Sequence, residues 1–144
     1  MEELQLLDVM ESVQILERKL TMSLVDSGLR MPQYRVLLIL KENGSSTVSD
    51  LSLRLRITRA AASILINEMI KNGYLTTREN LEDRRSFHIV LSENGQEKFL
   101  VAQKSLYAAL QKLTADFSEE IIKGLNAFSE SILKGEKNHR KNLP

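Results

Sequence analysis

The hydrophobic period of this chain changes at Asn72-Gly73, and that change constrains the fold more than any other feature. Upstream, from Thr58 to Lys71, apolar residues recur at helical spacing: Ala61 or Ala62, Leu65 or Ile66, Met69 and Ile70. Ala60, Ala61 and Ala62 favour helix near its start, and neither Gly nor Pro interrupts the run. Thr58 can accept hydrogen bonds from the open N–H groups of the first turn, so it reads as the N-cap. Gly73 supplies the stop, because Gly takes the left-handed conformation at little cost. Downstream the period is two. Tyr74 to Arg78 suits a strand, and in a second run Phe87, Ile89 and Leu91 alternate with His88 and Val90. Between the runs lies Glu79-Asn80-Leu81-Glu82-Asp83-Arg84-Arg85-Ser86, a polar loop joining two antiparallel strands. A helix followed by a hairpin with a basic tip predicts a winged helix.

The rest of the chain must hold that unit. Its 144 residues fit one domain or two closely coupled lobes, and 42% apolar content is enough for a core. The net charge of +1 is uninformative, but its distribution is not. Residues 1–26 carry six acidic and two basic side chains, and residues 93–133 carry six and four. Residues 45–92 carry seven basic against five acidic, led by Arg54, Arg56, Arg59, Arg78, Arg84 and Arg85. Residues 27–44 and 134–144 are also net basic. Acidic outer helices around a basic centre favour a nucleic-acid-facing middle. The absence of cysteine excludes disulfides, thiolate zinc sites, a Cys nucleophile and thiol-based oxidant sensing. No apolar run approaches the roughly 18 residues of a membrane span, and the charged start MEELQLLD is unlike a signal peptide. A soluble, cytoplasmic protein is expected.

In chain order, Leu6, Val9 or Met10, Val13, Leu16, Leu20 and Leu24 form a helical stripe opposite Glu3, Glu11, Glu17, Arg18 and Lys19. Pro32 suits the first turn of a second helix through Tyr34, Val36, Leu37, Leu38 and Leu40, ended by Asn43-Gly44. Thr47-Val-Ser-Asp50 resembles a capping box and opens a short helix through Leu51, Leu53 and Leu55. Arg56-Ile57 is only a brief break before Thr58, so the two helices form a helix-turn-helix. After the hairpin, Ser92 caps a long helix with the stripe Phe99, Ala102, Leu106, Ala109 or Leu110 and Leu113. A break near Asp116 to Ser118 precedes a last helix with Ile121 or Ile122, Leu125, Phe128 and Ile132 on one side. Residues 135–144 read as a flexible basic tail. The stripes of the terminal helices have little sequence-distant material to cover them, so a homodimer that interleaves them is expected.

Taken together, these marks resemble the MarR (multiple antibiotic resistance regulator) family. They are Met31-Pro-Gln-Tyr-Arg-Val-Leu37, Asp50-Leu-Ser-Leu-Arg-Leu55, Asn72-Gly-Tyr-Leu75, Arg78, Asp83-Arg-Arg85 and Leu91-Ser-Glu-Asn-Gly95. The resemblance covers residues 30–100 in motif and the whole length in helix order. It implies a mainly α fold: a winged helix-turn-helix lobe over residues 30–92 with a small β-hairpin wing. Residues 1–29 and 93–134 would form a helical dimerisation region. It further implies a homodimeric transcription regulator, of repressor type and modulated by a small organic effector, on a pseudo-palindromic double-stranded operator. By position, Thr58, Arg59, Ala60, Ala61, Ser63, Ile64 and Asn67 would face the major groove. Arg59 would pair with guanine, and Asn67 with adenine or a phosphate. Arg84 or Arg85 would enter the minor groove from the wing tip. Asp83 and Arg78 would brace the wing. Two positions depart from the family pattern: Ile64, where relatives often carry a base, and Asn67, where an acid is common.

Competing readings fare worse. His88 and His139 have no Cys or Ser–base arrangement beside them, and no Gly-rich phosphate loop or metal-spaced cluster appears, so no enzyme, cofactor or metal is expected. Tyr74, Phe87 and the methionines read as core rather than stacking surface, which argues against single-stranded nucleic acid. The remaining alternative is a winged helix used as a protein–protein interaction module. Salt dependence separates it from a DNA binder, which neutralises phosphates.

Overall fold

The computed structural model describes residues 2–79 and 87–141, with side chains described to residue 138. Helix α1 (Glu3–Ser23) passes through a single 3-10 turn (Val25–Ser27) to α2 (Met31–Asn43), α3 (Val48–Leu55) and α4 (Arg59–Lys71). Strands β1 (Leu75–Glu79) and β2 (Phe87–Leu91) follow, then α5 (Glu93–Thr114) and α6 (Glu119–Lys141). This is the mainly helical winged helix-turn-helix that the change of period predicts.

Local chemistry sets the boundaries. Thr58 Oγ1 accepts from the Ala61 N–H at 3.1 Å and so opens α4. The helix closes with Gly73 at φ 81°, its N–H donating to Ile70 O at 2.9 Å. The Tyr74 N–H donates to Met69 O at 3.0 Å. Both bonds belong to one helix stop, so Tyr74 serves α4 and β1 starts one residue later than expected. Between α3 and α4 the turn is made by Arg56 with φ 58°, the only non-Gly residue at positive φ among those described. A left-handed Arg costs roughly 1–2 kcal/mol.

The two strands pair antiparallel, Leu75 against Leu91 through Glu79 against Phe87. A third element joins them: Ser46, between α2 and α3, exchanges both backbone bonds with Ile89, at 3.1 and 2.7 Å. Of the β2 side chains Ile89 is buried, whereas Phe87 is 55% exposed. Phe87 therefore corrects the core assignment. Its period-two partner Ile89 faces the core, but Phe87 lies at the outer end of the strand, where it borders an open groove instead of packing into the core. Met10 and Met22 likewise lie exposed on α1, while Met69 is core.

Residues 1–110 form one compact unit. Its core joins Val36, Leu37 and Leu40 of α2, Leu51 and Leu55 of α3, and Ala62, Ile66 and Met69 of α4 to Leu75 and Ile89 of the hairpin. It also draws Leu24 and Leu29 from before residue 30, and Phe99, Ala102 and Leu106 from α5. Each fully buried Leu adds about 1.5–3 kcal/mol of transfer free energy. Tyr34 stacks on Phe99 with centroids 5.7 Å apart, and burial, then Glu42, pushes its phenol above the ordinary tyrosine pKa. At the start of α5, Ser92 Oγ donates to Gly73 O and accepts from the Gly95 N–H at 2.9 Å. A Cβ on Gly95 would fall 2.0 Å from Tyr74 O. Only glycine lets α5 approach the hairpin root this closely.

Residues 111–144 form a second unit. Its helix α6 has Glu119 and Glu120 in the first turn, where carboxylates suit the positive end of the helix dipole. Ile121, Ile122, Leu125, Phe128 and Ile132 are all exposed. The helix runs past the expected tail boundary at residue 134 to Lys141. Gly135 does not stop it, because a glycine ends a helix only where the backbone turns left-handed, and Gly135 is not at positive φ. Among the described residues no helix is long and apolar enough to cross a membrane.

Candidate nucleic-acid interface

The orientation of α4 follows from its buried side. Ala62, Leu65, Ile66 and Met69 lock into the core, so at 3.6 residues per turn the opposite side consists of Ala60, Ile64, Asn67 and Lys71. Of the α4 residues singled out from the sequence, Thr58, Arg59, Ala60, Ala61, Ile64 and Asn67 are exposed and Ser63 is half-buried. The structure therefore gathers all seven on one end and one side of a single helix.

Arg59, Ser63 and Asn67 also line an open groove of about 370 Å³ between α4, the first turn of α3 and the hairpin. Thr47, Val48 and Ser49 contribute from α3, and Phe87 from β2. Thr47 Oγ1 accepts from the Asp50 N–H at 3.1 Å, fixing that turn beside α4. Sequence reasoning read Thr47 only as a cap and passed over Ser49. The signal was available, since a cap separated from α4 by one short helix and a tight turn must lie next to it. Lys71 was also missed, although it continues the Ile64 and Asn67 spacing.

Glu68 would place a carboxylate beside this surface. The Arg30 guanidinium covers it, with one nitrogen 3.0 Å from each oxygen, and Gln33 Nε2 donates to it at 3.3 Å. This contact ties α4 to the start of α2 and offsets a charge that would repel phosphate. Arg54 lies 3.9 Å from Glu42, and Arg35 donates to Arg54 O at 3.4 Å. Arg78 is exposed on β1, opposite His88 in register. His88 Nδ1 lies 3.2 Å from Ser45 Oγ, a strand–loop contact with no catalytic partner in it. Asp83, Arg84 and Arg85 lie outside the described residues, so their assignment to the wing tip rests on the sequence. Among the described residues no group of three or more His, Asp or Glu side chains could hold a metal ion.

A sequence profile of the MarR family matches residues 27–86, from the end of the 3-10 turn to the residue before β2. Over that span the chain matches the MarR family. The homoprotocatechuate degradative operon repressor of Escherichia coli is 25% identical over 112 residues, covering 78% of this chain and 76% of that one. AbsC, a MarR family transcriptional regulator from Streptomyces coelicolor, superposes with a TM-score of 0.81 over 95% of each chain at 22% identity. Another MarR family regulator from S. coelicolor, solved in complex with DNA, has the same score and identity over 93% of this chain and 86% of that one. At that identity the two structures speak to the fold alone, and they share the winged helix-turn-helix architecture of this chain.

Proposed function

We propose that this chain is a sequence-specific, double-stranded-DNA-binding transcription regulator of repressor type, acting in the cytoplasm as a homodimer on a pseudo-palindromic operator. The observation that carries the reading is the outward side of α4. A helix anchored in the core by four residues presents Thr58, Arg59, Ala60, Ala61, Ile64 and Asn67 to solvent. A helix of about 10–12 Å diameter fits a major groove of similar width. Arg59 is suited to guanine and Asn67 to adenine or a phosphate. The wing, with Arg84 or Arg85 at its tip braced by Asp83 and Arg78, reaches the adjacent minor groove.

The apolar stripes of α1 and α6 support the dimer, and residues 1–29 with 93–134 are its dimerisation region. Two recognition helices would then meet half-sites about 34–36 Å apart. A small organic effector that prefers another spacing of those helices would weaken DNA binding, and DNA would weaken effector binding by the same factor. Nuclease footprinting on the DNA upstream of the chain's own gene, followed by titration of the protected duplex, tests the reading. Neutralising about 6–10 phosphates lowers affinity roughly 10³- to 10⁵-fold between about 50 and 200 mM salt. Absence of protection, or affinity indifferent to salt, would return the fold to the protein-interaction alternative.

A further inference from the structure

Ile64 is 70% exposed at the middle of the outward side of α4, and its neighbours narrow what it can contact. One turn earlier on that side is Ala60, with Ala61 beside it and also exposed. Through its first two turns this side therefore offers only methyl and methylene groups. Hydrogen-bonding side chains sit off its axis: Arg59 and Ser63 turn to the groove shared with Phe87, and Asn67 follows a turn later. A single exposed Ile is ordinary on a protein surface. Here, however, it occupies the centre of the surface that docks on base pairs, in a helix where Ala or Lys is the better helix former.

The major-groove edge of a duplex presents one methyl group, the C5-methyl of thymine, whereas a G·C pair presents the G N7 and O6 acceptors and the C N4 donor and has no methyl. Pressing Ile64 against a G·C pair would strip water from those atoms and return no hydrogen bond. We propose that Ile64, flanked by Ala60 and Ala61, is a specificity-determining residue that packs on a thymine methyl and selects a T·A pair at one fixed position in each half-site. This rests on the DNA-binding reading above.

The test uses the full chain to enrich binding sequences from a pool of random duplexes. The enriched duplex is then rebuilt with deoxyuridine at each thymine in turn, which removes only the methyl. One position per half-site should weaken binding about three- to fivefold when so replaced. Ile64→Ala should bind the thymine duplex more weakly and lose its sensitivity at that position, and Ile64→Val should keep part of it. Both variants change an exposed side chain, so their thermal unfolding should match that of the parent. Indifference to deoxyuridine at every thymine, or an Ile64→Ala variant that keeps the full penalty, overturns the assignment. Failure to enrich any sequence overturns the DNA-binding reading and this inference with it, whereas enrichment without a sensitive thymine overturns only the role of Ile64.

Discussion

The winged lobe and the helices at the chain ends spend their apolar residues in opposite ways. In the lobe, Leu37, Leu40, Leu51, Ile66 and Met69 are all at most 1% exposed. In α1 no residue is buried, and Leu6, Val9, Met10, Val13 and Leu16 are between 41% and 54% exposed. The stripe of α6 is as open, with Ile121, Leu125, Phe128 and Ile132 between 47% and 55%. Both stripes keep the helical spacing of a packed surface. The lobe, with the residues it draws from before residue 30 and from α5, therefore has a core of its own, while α1 and α6 carry apolar stripes that only an additional surface can use. In the dimer proposed here that surface is a second copy.

The largest effect should come from the open stripes. Replacing Leu125→Glu together with Phe128→Glu would desolvate two carboxylates in the dimer, at several kcal/mol each. Light scattering at micromolar concentration should show a dimer for the parent and a folded monomer for the variant; a monomeric parent would remove the contrast altogether. In the lobe, Leu37→Ala empties a fully buried site and should cost about 2–5 kcal/mol by urea unfolding. A smaller loss would mean that the core is looser than its burial indicates. Gly95→Ala drives a methyl group into the Tyr74 carbonyl and should cost about 1–3 kcal/mol, with Gly124→Ala as a control because nothing lies within 4 Å of it. Thr58→Ala removes a cap and should cost about 1 kcal/mol, most visibly as faster amide exchange at the start of α4. Arg30→Ala should cost under about 0.5 kcal/mol, since the pair with Glu68 is largely open to water. A loss above about 1 kcal/mol would show that this ion pair is a structural lock on α4.

Legibility in the sequence followed how local the physics was. The cap at Thr58, the stop at Gly73 and the buried spacing of α4 each depend on residues within about one turn of one another, and each stands where the sequence places it; the two strands, runs close in sequence, pair as expected with β1 shifted by one residue. Non-local contacts were hidden. Nothing about Ser46 marks it as the partner of Ile89, because that pairing is decided by where α2 ends in space. Gly95 could be noted as a glycine near a helix start, but its cause is a carbonyl more than twenty residues earlier. Phe87 misled because alternation assigns a face to a strand without saying how far along the strand the core extends. In the candidate interface the exposed side of α4 was readable from its buried side. The roles of Thr47, Ser49 and Lys71 emerged only once α3, α4 and the hairpin were brought together.

The Ser46 bridge also bears on aggregation. A hairpin that projects from a domain exposes two rows of backbone N–H and C=O groups, and such edges recruit strands from other molecules. Here β2 has Thr77 on one side of Ile89 and Ser46 on the other, so its exposed edge is interrupted at the middle residue. The remaining edge belongs to β1, which is five residues long and exposes Thr76, Thr77, Arg78 and Glu79. A short, charged edge is a poor template for a foreign strand. The hairpin can therefore stand clear of the lobe, as a wing must, without seeding the polymerisation that an unguarded edge of this kind invites.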